Sequence, residues 1–64
     1  MSYYYQVGSL IEQKTSEGKL RLVIVTEIIP RIHNGKHGFD GYVYGQRGKH
    51  VWGYDEQIVR VIKY

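Results

Sequence analysis

The chain has 64 residues, no cysteine, a formal net charge of +3 and a pI of about 9.3. This length allows one domain, residues 1–64, and leaves no room for a catalytic domain beside a regulatory one. The lack of cysteine excludes disulfides and thiolate zinc sites, so apolar packing must stabilise the fold. Apolar runs are much shorter than the roughly 20 residues of a membrane span, and no charged-then-apolar leader opens the chain, so we expect a soluble, cytoplasmic protein without membrane contact.

The first predicted strand runs from Tyr4 to Glu12. Tyr5, Val7 and Ile11 are expected to face inward, and Gly8 permits a bend or bulge. From the run of three tyrosines at residues 3–5, one ring is expected to seal the core. The others are available for an edge-strand contact or a homodimer through this N-terminal strand.

A long second strand is predicted after a turn at Thr15–Gly18. Leu22 and Ile24 share one face of it, but the opposite face is apolar too, which indicates a bent strand that contributes to two walls. Pro30 has no N–H to donate, so the strand is expected to end near there. Residues 33–38 are then expected to form a loop.

A β-hairpin is predicted for residues 39–52, with its turn at Gln46-Arg47 between two glycines. Residues 54–57 fit a short helical turn, and residues 58–62 fit a closing strand. The fold class expected from this order is all-β, a small five-stranded barrel with a 3₁₀ turn before the last strand. The predicted core consists of Leu22, Ile24, Val43, Val51, Ile58 and Val61.

Three segments resemble the small SH3-like barrel proteins encoded by tailed bacteriophages. They are Val7-Gly8-Ser9-Leu10-Ile11, the stretch from Gly18 to Val25, and the stretch from Trp52 to Ile62. In that family an opening V-G-x-L-I strand, a G-x-L-x-x-V strand and a closing W-x-x-x-(D/E)-x-L-x-V-I strand recur. The resemblance covers nearly the whole chain and implies an SH3-like barrel. Because its positions are core positions, it implies less about function.

A second, local resemblance is to the KOW motif of transcription and ribosomal proteins. His37-Gly38-Phe39-Asp40-Gly41-Tyr42-Val43 is similar to that motif's K-G-x-x-G-x-V, with His37 in place of the lysine. This resemblance implies contact with nucleic acid or with the transcription machinery.

Positive charge and aromatic rings coincide between residues 31 and 52. If the 31–37 loop and the 46–50 turn lie on one side of the fold, they form a cationic patch suited to phosphate; otherwise they are a solvated surface. Tyr42 and Tyr44 are expected outside the core, where they can stack bases or anchor a protein, whereas Trp52 is favoured as a core residue. The candidate binding residues are Arg31, His33, Lys36, His37, Tyr42, Tyr44, Arg47, Lys49 and Trp52.

No catalytic or cofactor constellation is found. His33 and His37 have metal-ligand spacing for a helix, but the glycines around them argue against a helix, so no metal site is expected. Residues 35–38 lack the glycine spacing of a phosphate loop. We therefore expect a non-enzymatic module that needs no cofactor and binds DNA or RNA. The alternative is a phage-type interaction factor that binds and modulates a host enzyme or transcription component.

Overall fold

The computed structural model describes residues 5–64, apart from the side chain of His33. These residues form five β-strands and one 3₁₀ turn, as expected from the sequence. Their bounds are β1 Leu10–Lys14, β2 Leu20–His33, β3 Lys36–Val43, β4 Gln46–Tyr54, the 3₁₀ turn Asp55–Gln57, and β5 Ile58–Lys63.

All five strands belong to one antiparallel sheet in the order β4-β3-β2-β1-β5. The 14-residue β2 pairs with β1 over residues 20–24 and with β3 over residues 23–33. Within residues 5–64, no backbone ladder joins the edge strands β4 and β5, so the sheet stays open between them.

The core lies on one face of this sheet and contains Tyr5, Ile11, Val23, Val25, Phe39 and Val51. Tyr5 and Phe39 pack edge to face, with ring centroids 6.0 Å apart. Val51 is predicted in the core and is buried there, whereas Val43, Ile58 and Val61 are partly buried against it.

The prediction that Leu22 and Ile24 are core residues is wrong, because β2 turns its other face inward. Ile24 lies opposite Tyr42 on the outer face, while Val23 lies opposite Ile11 on the inner one. Both faces of β2 are apolar, so the hydrophobic pattern alone does not decide which face is buried. Assigning the wrong face places every side chain of the strand on the wrong side of the sheet.

Residues 5–9 are not a strand, which corrects the predicted first element. Tyr5 is buried, but Val7 is 59% exposed instead of inward-facing. The chain bends at Gly8, which has φ +96°, and crosses β2 through hydrogen bonds from the Gly8 N–H to the Val25 carbonyl (2.7 Å) and from the Val25 N–H to the Ser9 carbonyl (3.0 Å). The predicted contacts of Tyr3 and Tyr4, including a homodimer, lie outside the described residues.

Strand β2 does not end at Pro30, and residues 33–38 are not a loop. The ladder between β2 and β3 is irregular between Ile29 and His33, so Pro30 occupies a position where its missing N–H interrupts no regular pairing. A two-residue turn follows at Asn34 and Gly35, both with positive φ (55° and 71°), as the tight hairpin turns of this class require.

The predicted hairpin of residues 39–52 is present, but its turn is at Tyr44-Gly45 instead of Gln46-Arg47. Val43 pairs with Gln46, and Gly45 supplies the positive φ (84°). Pairing then resumes between Tyr42 and His50, so residues 47–49 form a bulge at the start of β4.

Candidate functional site

A groove of 570 Å³ lies between the β1–β2 hairpin and the edge strand β4. Its position follows from the open sheet, since β4 has no neighbouring strand on this side. One wall comes from the β1–β2 hairpin, and the other from β4 and the 3₁₀ turn. The lining residues are Gln13, Thr15, Ser16, Glu17, Lys19, Leu20, Arg21, His50, Val51, Trp52, Tyr54 and Gln57.

The base of the groove is held together by the amide of Gln13, which is only 1% exposed. Its Nε2 donates to the Trp52 carbonyl oxygen (3.3 Å) and to Gln57 Oε1 (2.9 Å). Gln57 Oε1 also accepts from the Tyr54 N–H (3.0 Å). Gly53 makes this approach feasible, because a Cβ there would collide with Gln13 Nε2. Side-chain hydrogen bonds thus span the gap that the backbone ladder leaves open.

Arg21 is fixed in the groove by the same network. Its Nε donates to Gln13 Oε1 (2.8 Å), and one terminal nitrogen donates to the Trp52 carbonyl oxygen (3.3 Å). A guanidinium has five N–H donors, so these two bonds set its orientation and leave three donors for a ligand. Lys19, which is exposed, adds a second cation to the same wall.

Two aromatic rings line the β4 side of the groove. Trp52 and Tyr54 pack edge to face with centroids 5.4 Å apart, and Trp52 remains 40% exposed. The interpretation of Trp52 as a core residue is therefore wrong. Lys36 Nζ lies 5.3 Å from the centroid of the Tyr54 ring, which brings one predicted site residue to this aromatic pair.

Most acidic side chains contact a basic side chain, whereas most lysines and arginines contact no acidic one in the part of the chain that the structure describes. Four of the six acids contact a basic side chain: Glu12 pairs with Arg60 and Glu56 with Lys36, while Asp40 contacts His50 and Asp55 contacts His37. Within residues 5–64, Lys36 and Arg60 are the only members of the nine Lys and Arg that contact an acid in this way. The other seven lysines and arginines therefore contact no acidic side chain within residues 5–64.

The predicted patch of residues 31–37 and 46–50 is not one surface. Residues 31–37 adjoin the beginning of β3, and residues 46–50 adjoin its end. Because β3 has eight residues, its two ends lie about 23 Å apart. Arg31 is exposed near the end of β2, and the side chain of His33 is outside the described atoms.

His37 belongs to a buried polar cluster. Its Nδ1 lies 2.8 Å from Asp55 Oδ2, and the Tyr5 hydroxyl donates to Asp55 Oδ1 at 2.5 Å. This arrangement connects the N-terminal segment to the 3₁₀ turn and β3, so the contacts of His37 fit a structural role.

The remaining predicted residues lie around the β3–β4 hairpin. Tyr44 is 57% exposed at the turn, as expected, and Tyr42 is half-buried with the Arg47 guanidinium carbon 5.8 Å from its ring centroid. Lys49 is exposed immediately before His50, a groove residue. The hairpin thus brings Arg47 and Lys49 to one end of β4 and Trp52 to the groove itself.

Sequence reasoning missed Gln13, Lys19, Arg21, Tyr54 and Gln57 as groove residues. One signal was available for Arg21, which is a charged residue between two leucines, immediately before the apolar run of residues 22–25. The glutamines gave no comparable signal, because their partners are 39 and 44 residues away in sequence.

Among the described residues, no group of three or more His, Cys, Asp or Glu is arranged to hold a metal ion. The part of the chain that the structure covers also contains no helix long and apolar enough to cross a membrane. Comparisons with protein-family models, with curated proteins and with solved structures found no match.

Proposed function

We propose that the chain is a small, non-enzymatic module of the SH3-like barrel class that binds nucleic acid. The barrel class is supported by the strand order, by the 3₁₀ turn before β5 and by the Gln13 bridge across the open side of the sheet. The binding surface is the groove between the β1–β2 hairpin and β4, together with the cationic start of β4. The KOW-like segment lies in β3, beside this surface.

The observation that carries the proposal is that, among the described residues, most acidic side chains have basic partners, whereas most lysines and arginines have no acidic partner. Four of the six acids contact a lysine, arginine or histidine, while Lys19, Arg21, Arg47 and Lys49 contact no acidic side chain in residues 5–64 and belong to the groove wall or to β4. Such cations attract phosphate, and nearby rings provide stacking surfaces for bases.

Salt dependence tests this proposal. Replacing Arg47 and Lys49 together by Ala is expected to weaken binding to duplex DNA while leaving the fold intact, because both side chains are exposed. If two phosphate contacts are lost, the slope of log affinity against log salt falls in magnitude by about 1.8. Fluorescence anisotropy of a labelled duplex at several salt concentrations measures that slope.

The matched control is the double variant Arg60→Ala and Lys63→Ala, which removes the same charge from the opposite edge strand β5. Its salt slope is expected to stay close to that of the wild type. Equal slope changes in the two double variants contradict the proposed surface, and no binding to any polynucleotide at low salt contradicts the function.

A phage-type interaction factor that binds a host enzyme or transcription component is the second candidate. It is favoured by the exposed apolar residues Val59 and Ile62 on edge strand β5, since such edges pair readily with another chain. A pull-down from host lysate separates the two candidates. A partner that survives nuclease treatment and is lost in the variant Val59→Lys with Ile62→Lys supports the second.

A further inference from the structure

We propose that the groove takes a single-stranded segment of nucleic acid, with Arg21 holding a phosphate and Trp52 stacking against a base. This inference rests on the proposed function and specifies its ligand. It commits to an unpaired strand in place of a duplex, and it assigns the contacts to residues in the interior of the groove.

The first support is the pre-organised guanidinium of Arg21. Gln13 Oε1 and the Trp52 carbonyl fix two of its N–H groups, so the remaining donors have a defined direction before any ligand arrives. A planar fork of this kind matches the geometry of phosphate oxygens, and little side-chain freedom is left to lose on binding.

The second support is the location of the rings. Trp52 and Tyr54 line the β4 side of a groove whose opposite wall carries Lys19 and Arg21. In a duplex the base faces are covered by neighbouring bases, whereas an unpaired base can be splayed out and stacked on an aromatic side chain. The 40% exposed Trp52 beside the groove therefore favours an unpaired strand.

The third support is size. The groove volume of 570 Å³ is within the range of about 300–1,000 Å³ that is typical of sites for small ligands. This space suits individual nucleotides and not the width of a double helix. The cations at one end, Lys49 and Arg47, lie along β4 where a continuing backbone is able to contact them.

Trp52 is the only tryptophan, so its fluorescence reports directly on the groove. Titration with a single-stranded oligonucleotide at low salt is expected to quench this fluorescence, with affinity at least about tenfold higher than for a duplex containing the same sequence. Poly-L-glutamate of matched charge, which has no bases, is expected to bind weakly without quenching.

Two substitutions at the contact residues extend the test, with a labelled single strand as the probe. Trp52→Ala is expected to weaken binding by about 5- to 150-fold, as for loss of one stacked base. Arg21→Lys keeps the charge but loses the fork, and a reduction of about tenfold is expected. Arg60→Lys, the same substitution at an edge-strand position outside the groove, is expected to have no effect. If circular dichroism shows that Arg21→Lys does not fold, Lys19→Ala is measured in its place, and a smaller reduction in affinity is expected.

The outcomes separate this inference from the proposed function. The inference is overturned if duplex and single strand bind equally, if Trp52 fluorescence does not change and if Trp52→Ala keeps full affinity. That result leaves the proposal of nucleic-acid binding intact. Binding of polyglutamate as tightly as the oligonucleotide overturns it in favour of an acidic protein ligand. No binding of any polynucleotide overturns both proposals.

Discussion

The Gln13 side chain links three separate parts of the chain through one buried amide. Its two polar atoms contact Arg21 on β2, the Trp52 carbonyl on β4 and Gln57 in the 3₁₀ turn. Since the sheet has no ladder between its edge strands, these bonds are a principal polar connection across its open side. A buried amide with satisfied partners specifies one geometry, because any alternative leaves polar groups without hydrogen bonds.

Replacing Gln13 by Ala is therefore expected to destabilise the fold by at least about 1–3 kcal/mol, since the buried partners of the amide lose their hydrogen bonds. Urea denaturation followed by circular dichroism measures the change. Gln46→Ala is the matched control, because Gln46 is exposed at the start of β4 and its loss is expected to change the stability by no more than about 0.5 kcal/mol. Equal stability of the two variants contradicts the role assigned to Gln13.

At this scale the sequence predicts part of the apolar core but not the buried Gln13. Strand patterns predict Tyr5, Ile11 and Val51 as inward-facing, and all three are buried. They do not predict Gln13, because a glutamine in a strand is ordinarily a surface residue, and only the curvature of the whole sheet places it beside Trp52.

The β3–β4 turn lies two residues earlier in the structure than the sequence predicts, and the difference can be tested. Gly45 and Gly48 both permit a tight turn, and Gly45 at φ +84° forms it, whereas Gly48 lies in the bulge without a positive φ. A Cβ at either position would have no neighbouring heavy atom within 4 Å, so steric contact does not distinguish the two glycines.

Gly45→Ala is expected to destabilise the protein by roughly 1–2 kcal/mol, because an L-residue must adopt the left-handed conformation there. Gly48→Ala is expected to be neutral or slightly stabilising. Thermal unfolding of the two variants measures the difference. A larger loss at Gly48 than at Gly45 indicates that the turn is at Gln46-Arg47 after all.

Strand β2 gives a second comparison, between the two faces of the sheet. Ile11→Ala on neighbouring β1 is expected to cost about 2–5 kcal/mol because Ile11 is fully buried. Ile24→Ala is expected to cost clearly less, since Ile24 is half-buried on the outer face. Urea denaturation tests this order, and a larger loss at Ile24 contradicts the orientation of β2.

Elements are predictable where residue type and local geometry agree. The 3₁₀ turn and β5 follow from residues 54–62 and are present, and the expected five strands are present too. The predicted ends of β2 and of the first strand are wrong, because an irregular ladder accommodates Pro30 and because residues 5–9 make their hydrogen bonds across β2 instead of along a neighbour.

For the whole molecule, the fold separates the two segments that the sequence joins into one basic-aromatic surface. Residues 31–37 and residues 46–50 adjoin opposite ends of β3, and the curvature of the sheet instead brings the β1–β2 hairpin against β4. Trp52 belongs both to the predicted site and to the lining of the groove. Arg21, which donates to the Trp52 carbonyl, and the groove residue Lys19 come from a hairpin that lies about 30 residues earlier, and no local pattern links them to Trp52.

Chemical-shift mapping tests the central claim, that nucleic acid binds in the groove, most directly. Amide shifts of the ¹⁵N-labelled protein are recorded during titration with a single-stranded oligonucleotide at low salt. The account predicts that the perturbed amides cluster at residues 15–21 and 49–57, which line or adjoin the groove, while those of β5 beyond residue 58 stay unchanged. Perturbations confined to β5 or to the turn at residues 34–35, or none at all, contradict it.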